Sequence, residues 1–286
     1  MRESQMKKII AAAVASAFIA PAFAADVTVS GSQEWNYQDN NGTTTSELDG
    51  TLAVGASTET ANGLGVSMAI KLDEAGSADG GTNLAISGEF GTMSFGDVSG
   101  AVDQVDDIND WGYEATTGVG GDDAMLLWAL PSIAPNLSVY FSAGTDSSEG
   151  GGQDGTNHTG VSFEYAAGPA TIAFGQQETD GGAEERIASI QVSMQGLTAG
   201  YELFTATTAA SVDTDTTSVG ATYAMGDVTF AIENNTTESG STTSADLTAI
   251  GVHYSLGGGV TLFAEQKDDA KDSTAETTYL GASFAF

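Results

Sequence analysis

Large apolar side chains recur at every second position along most of this chain. Over 64–72 the even positions carry Leu64, Val66, Met68, Ile70 and Leu72, and the odd ones carry Gly, Ser, Ala and Lys. The same alternation marks Leu137/Val139/Phe141, Val161/Phe163/Tyr165, Ile190/Val192/Met194, Val219/Ala221/Tyr223, Ile250/Val252/Tyr254 and Leu280/Ala282/Phe284/Phe286. Successive side chains of a strand point to opposite sides, so period two predicts strands with one apolar and one polar face. Strands are expected at 26–38, 45–58, 63–73, 81–90, 92–98, 123–131, 136–144, 158–167, 169–178, 185–195, 197–206, 215–225, 227–235, 245–256, 259–268 and 275–286. Short turns such as Asn62-Gly63, Gly196 and Gly257-Gly258-Gly259 alternate with longer polar connections at 39–46, 74–80, 145–157, 179–183, 206–215, 234–244 and 268–275. Pro131, Pro135 and Pro169 fall at the ends of runs, where no ladder N–H is lost.

Two architectures share this alternation. A soluble sandwich buries its apolar faces in a core and turns its polar faces to water. A transmembrane barrel does the reverse, with apolar residues toward lipid and polar residues toward a hydrated lumen. The polar-face residues here are small or hydrogen-bonding, connections alternate between short and long, and no linker divides the chain. The last strand runs to Phe286, as needed to pair with the first strand and remove both sheet edges. The expected fold is therefore all-β: a transmembrane antiparallel β-barrel of about sixteen strands. Aromatic residues near strand ends, including Trp35, Tyr37, Tyr165, Tyr223, Tyr254 and Phe284, would form interfacial girdles.

The first 24 residues follow another rule. Lys7 and Lys8 precede an apolar run from Ile9 to Ala20, and Ala22-Phe23-Ala24 is a small-x-small cleavage site, which together read as a signal peptide. Residues 1–24 are taken as that peptide, with Met6 as an alternative start, and 25–286 as one barrel domain. Among 286 residues there are 39 Asp+Glu against 7 Lys+Arg, a formal charge of -32. Binding to nucleic acid is excluded, because phosphate neutralisation needs Lys and Arg. With no Cys, disulfides, thiolate metal sites and cysteine nucleophiles are excluded too. His158 and His253 have no evident Ser or Asp partner motif, so no enzyme activity is expected.

With its leader, its Ala25-Asp26-Val27-Thr28-Val29-Ser30-Gly31 opening and its terminal Phe, the chain resembles the sixteen-stranded general porins of Gram-negative outer membranes. The most specific local match is Gly91-Thr92-Met93-Ser94-Phe95-Gly96-Asp97, which is similar to that family's fifth strand. The resemblance implies an outer-membrane location, a homotrimer, contact with lipid and lipopolysaccharide, and passive diffusion of ions and small hydrophilic solutes. It also implies that the third loop, from Val98 to about Asp122, folds into the barrel and narrows the pore.

In that loop Val102, Val105 and Ile108 recur at helical spacing, which predicts a short helix against the inner wall. Asp103, Asp106, Asp107, Asp110 and Glu114 would then line the constriction. The alternative is a solvated acidic loop on the outer surface. No cofactor is expected. Calcium at Asp106, Asp107 and Asp110, with Asp122 or Asp123, is the one metal site the oxygen ligands would offer, although no spacing here matches a known calcium loop.

The chain departs from the family in lacking an arginine cluster on the barrel wall. After the leader its strong cations are Lys71, Arg186, Lys267 and Lys271. Wall charges are expected at Lys71, Glu89, Arg186 and Glu202, beside carboxylates such as Glu34, Asp49, Asp73, Glu164 and Glu265. A lumen charged this way concentrates cations and repels anions, so cation selectivity is expected. The alternative function is a plugged barrel with a structural or adhesive role.

Overall fold

Backbone N–H and C=O groups inside a bilayer must all be paired, and a sheet achieves this only by closing on itself. In a computed structural model the alternating segments do so. The strands are β1 (Asp26–Asn40), β2 (Thr43–Glu59), β3 (Gly65–Asp73), β4 (Asn83–Gly88), β5 (Gly91–Ser99), β6 (Asp123–Ala129), β7 (Leu137–Gly144) and β8 (His158–Ala167). They continue as β9 (Ala170–Thr179), β10 (Ala183–Met194), β11 (Leu197–Thr207), β12 (Asp213–Met225), β13 (Val228–Ser239), β14 (Thr242–Gly257), β15 (Val260–Asp269) and β16 (Asp272–Ala285). The structure describes residues 26–73, 76, 82–106, 111, 123–144, 157–240 and 242–286; the expected leader lies outside them.

Each strand pairs antiparallel with its neighbours in sequence, and β1 pairs with β16 to close the barrel. Closure runs from Ser32 opposite Ala285 to Asn40 opposite Thr277. It is completed by Gly31 N–H donating to the Phe286 carbonyl (3.1 Å) and Phe286 N–H donating to the Gly31 carbonyl (3.0 Å). The final residue is thus a structural part of the seam.

The apolar face points outward. Ile172 is 50% exposed and Leu203, Val219, Ile232, Ile250 and Leu280 are comparably open, while the adjoining Ala173, Glu202, Ser218, Glu233, Ala249 and Tyr279 are buried on the inner side. A sandwich would show the opposite assignment. Tyr165, Tyr223, Tyr254 and Phe284 stand on the outer face near the short-turn end, and Trp35 and Tyr37 near the other end of β1. Trp128, on β6, anchors its indole N–H on the Phe90 carbonyl at 2.9 Å.

Several segments expected as long connections are strands that continue past the apolar band. The β1–β2 connection is the two-residue turn Asn41-Gly42, with Asn40 paired to Thr43. Positions 179–183 and 268–275 likewise hold tight turns between extended strands. These stretches are rich in Thr, Ser, Asp and Glu. Polarity removes them from lipid but does not prevent ladder pairing, and Thr favours it.

Candidate channel lumen

The inner wall is built from the polar half of the alternation. On β9 to β15 it presents Gln177, Glu202, Thr216, Ser218, Glu233, Asn235, His253 and Glu265, all buried. Neighbouring strands tie these side chains together. Asn235 Nδ2 donates to Ser218 Oγ (3.3 Å), Gln177 Nε2 donates to Glu185 Oε2 (3.3 Å), and His253 Nε2 meets Glu265 Oε1 at 2.6 Å. Gly251 faces Glu265 across the β14–β15 ladder, and with no side chain there the His253–Glu265 pair can close. His158 lies over Gly144 on the inner side of β8.

The connection after β5 enters this space. A register shift between Phe95 and Val98 re-aims the end of β5, and Val98 is buried. Ala101 N–H then donates to Ser142 Oγ on β7 at 2.9 Å. Val102 (0% exposed) and Val105 (1%) pack with Ala173, Ile187 and Phe204, inward side chains of β9, β10 and β11. Further along, Trp111 N–H donates to Glu233 Oε2 on β13 at 3.2 Å. These contacts lie on inward-facing residues of five strands. The expected helix is a single 3-10 turn, Asp103–Val105, after which Asp106 is already extended (φ -94, ψ 94).

Asp103 opens this turn and Asp106 follows it, both half-buried. Asp107, Asp110, Glu114 and Asp122 lie outside the described residues, and with them most of the calcium set. Among the described residues no group of three or more His, Asp or Glu side chains is placed to hold a metal ion.

The wall charges divide. Lys71 is inward on β3, opposite Ala53, and Glu202 is inward and fully buried on β11. Arg186 is a correction, because it is not on the pore wall. It shares the outer face of β10 with Ile190 and Val192, and it bonds Glu184 Oε1 on that face through Nη2 (2.6 Å) and Nε (2.8 Å). The inward position beside it belongs to Ile187. Glu89 is a second correction: it sits exposed in the turn between β4 and β5, off the wall. Glu185 and Glu233 are lumen residues the sequence reading passed over, although each has the parity opposite to the large outward residues of its strand.

A cavity of about 550 Å³ runs along β14–β16 and β1–β3, where Ser32, Glu34, Asp49, Thr51, Asp73, Thr261 and Ser283 line it. Glu34 and Asp49 are direct cross-strand partners on this wall.

The family described as Gram-negative porin matches residues 11–283. No curated protein matches the chain in sequence. Among solved structures, Salmonella typhi OmpF in complex with daunomycin aligns with a TM-score of 0.78 at 11% identity, covering 91% of this chain and 97% of its own. In vitro folded OmpT of Vibrio cholerae aligns at 0.73 and 15% identity, covering 94% and 99%. An anion-selective porin from Comamonas acidovorans aligns at 0.71 and 14%, covering 92% and 100%. At such identities the structural likeness speaks for the fold, and the family match over nearly all of the chain speaks for descent. A closed sixteen-stranded barrel with its oily side outward is what that descent should leave, and this protein belongs to the Gram-negative porins, channel proteins of the outer membrane.

Proposed function

We propose that this porin is a cation-selective channel for ions and small hydrophilic solutes, narrowed by its inner connection. The observation that supports this is the sign of the inward charges. Among the described strand residues, the carboxylates with lumen parity include Glu34, Glu47, Asp49, Asp73, Glu164, Glu185, Glu202, Glu233 and Glu265, against Lys71 and Lys267. Arg186 adds nothing to the interior, since it faces outward. The fold alone does not decide selectivity, because the Comamonas protein shares it and is described as anion-selective. The charges on the wall have to decide it. Fixed carboxylates around a narrow hydrated path raise the local cation concentration and exclude anions.

The test is the reversal potential of purified protein in planar bilayers under a potassium chloride gradient. The expected sign is cation preference, and anion preference overturns the proposal. Screening shortens the reach of wall charges to about 8 Å at physiological ionic strength and further at higher salt. The permeability ratio should therefore fall toward unity as both baths are raised in salt. A folded barrel that carries no current would favour the plugged alternative.

A further inference from the structure

We infer that the apolar seat of the inner connection on β7–β11 sets how far the bore narrows, with Val105 as the positioning residue. The inference rests on the channel reading above and deepens it. Ile187 and Phe204 are inward side chains on a wall otherwise furnished with Gln177, Glu202 and Ser218, and large apolar groups facing a hydrated lumen make physical sense only when covered. Val102 and Val105 cover them, and these are among the most completely buried side chains of the chain.

The wall is also cut back where the connection lands. A Cβ at Gly175 would stand 3.3 Å from Val105 Cγ2 and 2.8 Å from Ile187 Cγ2. At Gly160 it would stand 3.4 Å from Ala101 Cβ and 2.6 Å from Ser142 Oγ, the acceptor of the Ala101 N–H. Within the seat itself the contacts are between uncharged groups, Val102 and Val105 against Ala173, Ile187 and Phe204, beside the Ala101 N–H on Ser142 Oγ. The acidic side chains carried on the connection colour the path, and the seat decides its width.

Two variants test this, each measured as unit conductance in bilayers and as the size cut-off for sugars in liposome swelling. Val105→Asp places a carboxylate in the seat. The expected result is higher unit conductance and loss of the cut-off, in a barrel that remains folded as judged by heat-modifiable mobility. A folded Val105→Asp barrel with wild-type conductance and cut-off overturns the inference.

The Val105→Cys/Gly175→Cys pair fixes the seat instead, and the chain has no other cysteine to compete. A Cβ at Gly175 would stand 3.3 Å from Val105 Cγ2, which makes the two positions direct neighbours across the seat. Treated with diamide, the pair should close in the folded barrel and keep wild-type conductance. Failure to close, or a conductance that shifts on closing, overturns the inference, whether or not Val105→Asp folds. A wild-type barrel that passes no current sinks the channel reading too, and so is distinguished from failure of the seat alone.

Discussion

A charge on a strand acts on permeating ions only if its side chain points inward, and one step along the strand reverses that direction. Lys71 and Arg186 are both strand cations with opposite consequences. Lys71 shares its inward face with Asp73, which lines the cavity, so Lys71→Glu should move the reversal potential further toward the cation limit. Arg186→Ser removes a cation from the outer face, where Arg186 is held by Glu184, and should leave the reversal potential at its wild-type value. Equal effects of the two substitutions would contradict the assigned faces. Parity was readable at Lys71 because Met68, Ile70 and Leu72 set the phase around it. At Arg186 two cues conflict, because Ile190 and Val192 put its face outward while its neighbour breaks the pattern. The nearest large apolar residue is Ile187, which points inward because the connection covers it, so it breaks the rule that apolar means outward. The residue that seats the connection is also the one that obscured the phase of its strand.

At the scale of elements, strands were legible and connections less so. Val102 and Val105 are three apart, a spacing that a 3-10 turn satisfies as well as an α-helix, and Val105 N–H bonds the Val102 carbonyl at 3.1 Å. Nothing in the spacing told the two apart, and no pattern announced the bond from Trp111 to Glu233. Turns were clearer where glycine carries the conformation. Asn41 (φ 50) and Gly42 (φ 85) form a type I′ turn, as do Gln195 (φ 53) and Gly196 (φ 83) at the opposite end of the barrel. The two glycines share a backbone shape in different surroundings. A Cβ at Gly42 meets nothing within 4 Å, whereas at Gly196 it stands 2.7 Å from the Ala224 carbonyl oxygen. Gly42→Ala should cost only the left-handed penalty, about 1–2 kcal/mol. Gly196→Ala should cost more, since a backbone atom must also move. Urea unfolding of both variants in lipid vesicles gives the ranking, and equal losses would mean that the close approach is relieved elsewhere.

For the whole molecule, the decisive property is which solvent each face meets, and β2 allows both faces to be tested on one strand. Val54 lies on the outer face, paired with Val29 and Ile70 among other exposed apolar residues. Thr51 lies three positions earlier on the inner face, bonded to Ser32 Oγ at 3.0 Å and lining the inner cavity. A lysine placed toward lipid near mid-depth in a barrel costs about 2–4 kcal/mol, because its charge loses hydration that the protein does not replace. A lysine placed toward a water-filled lumen keeps its hydration and finds Glu34, Asp49 and Asp73 nearby. Val54→Lys should therefore lower folding stability by that amount and leave ion selectivity alone if the barrel still forms. Thr51→Lys should fold nearly as well as wild type and draw the reversal potential toward anions. Stability and selectivity would then separate by face, as they must if water fills the inside and acyl chains the outside. If Thr51→Lys were the destabilising member and Val54→Lys harmless, the solvents would be exchanged and the barrel would not be a channel.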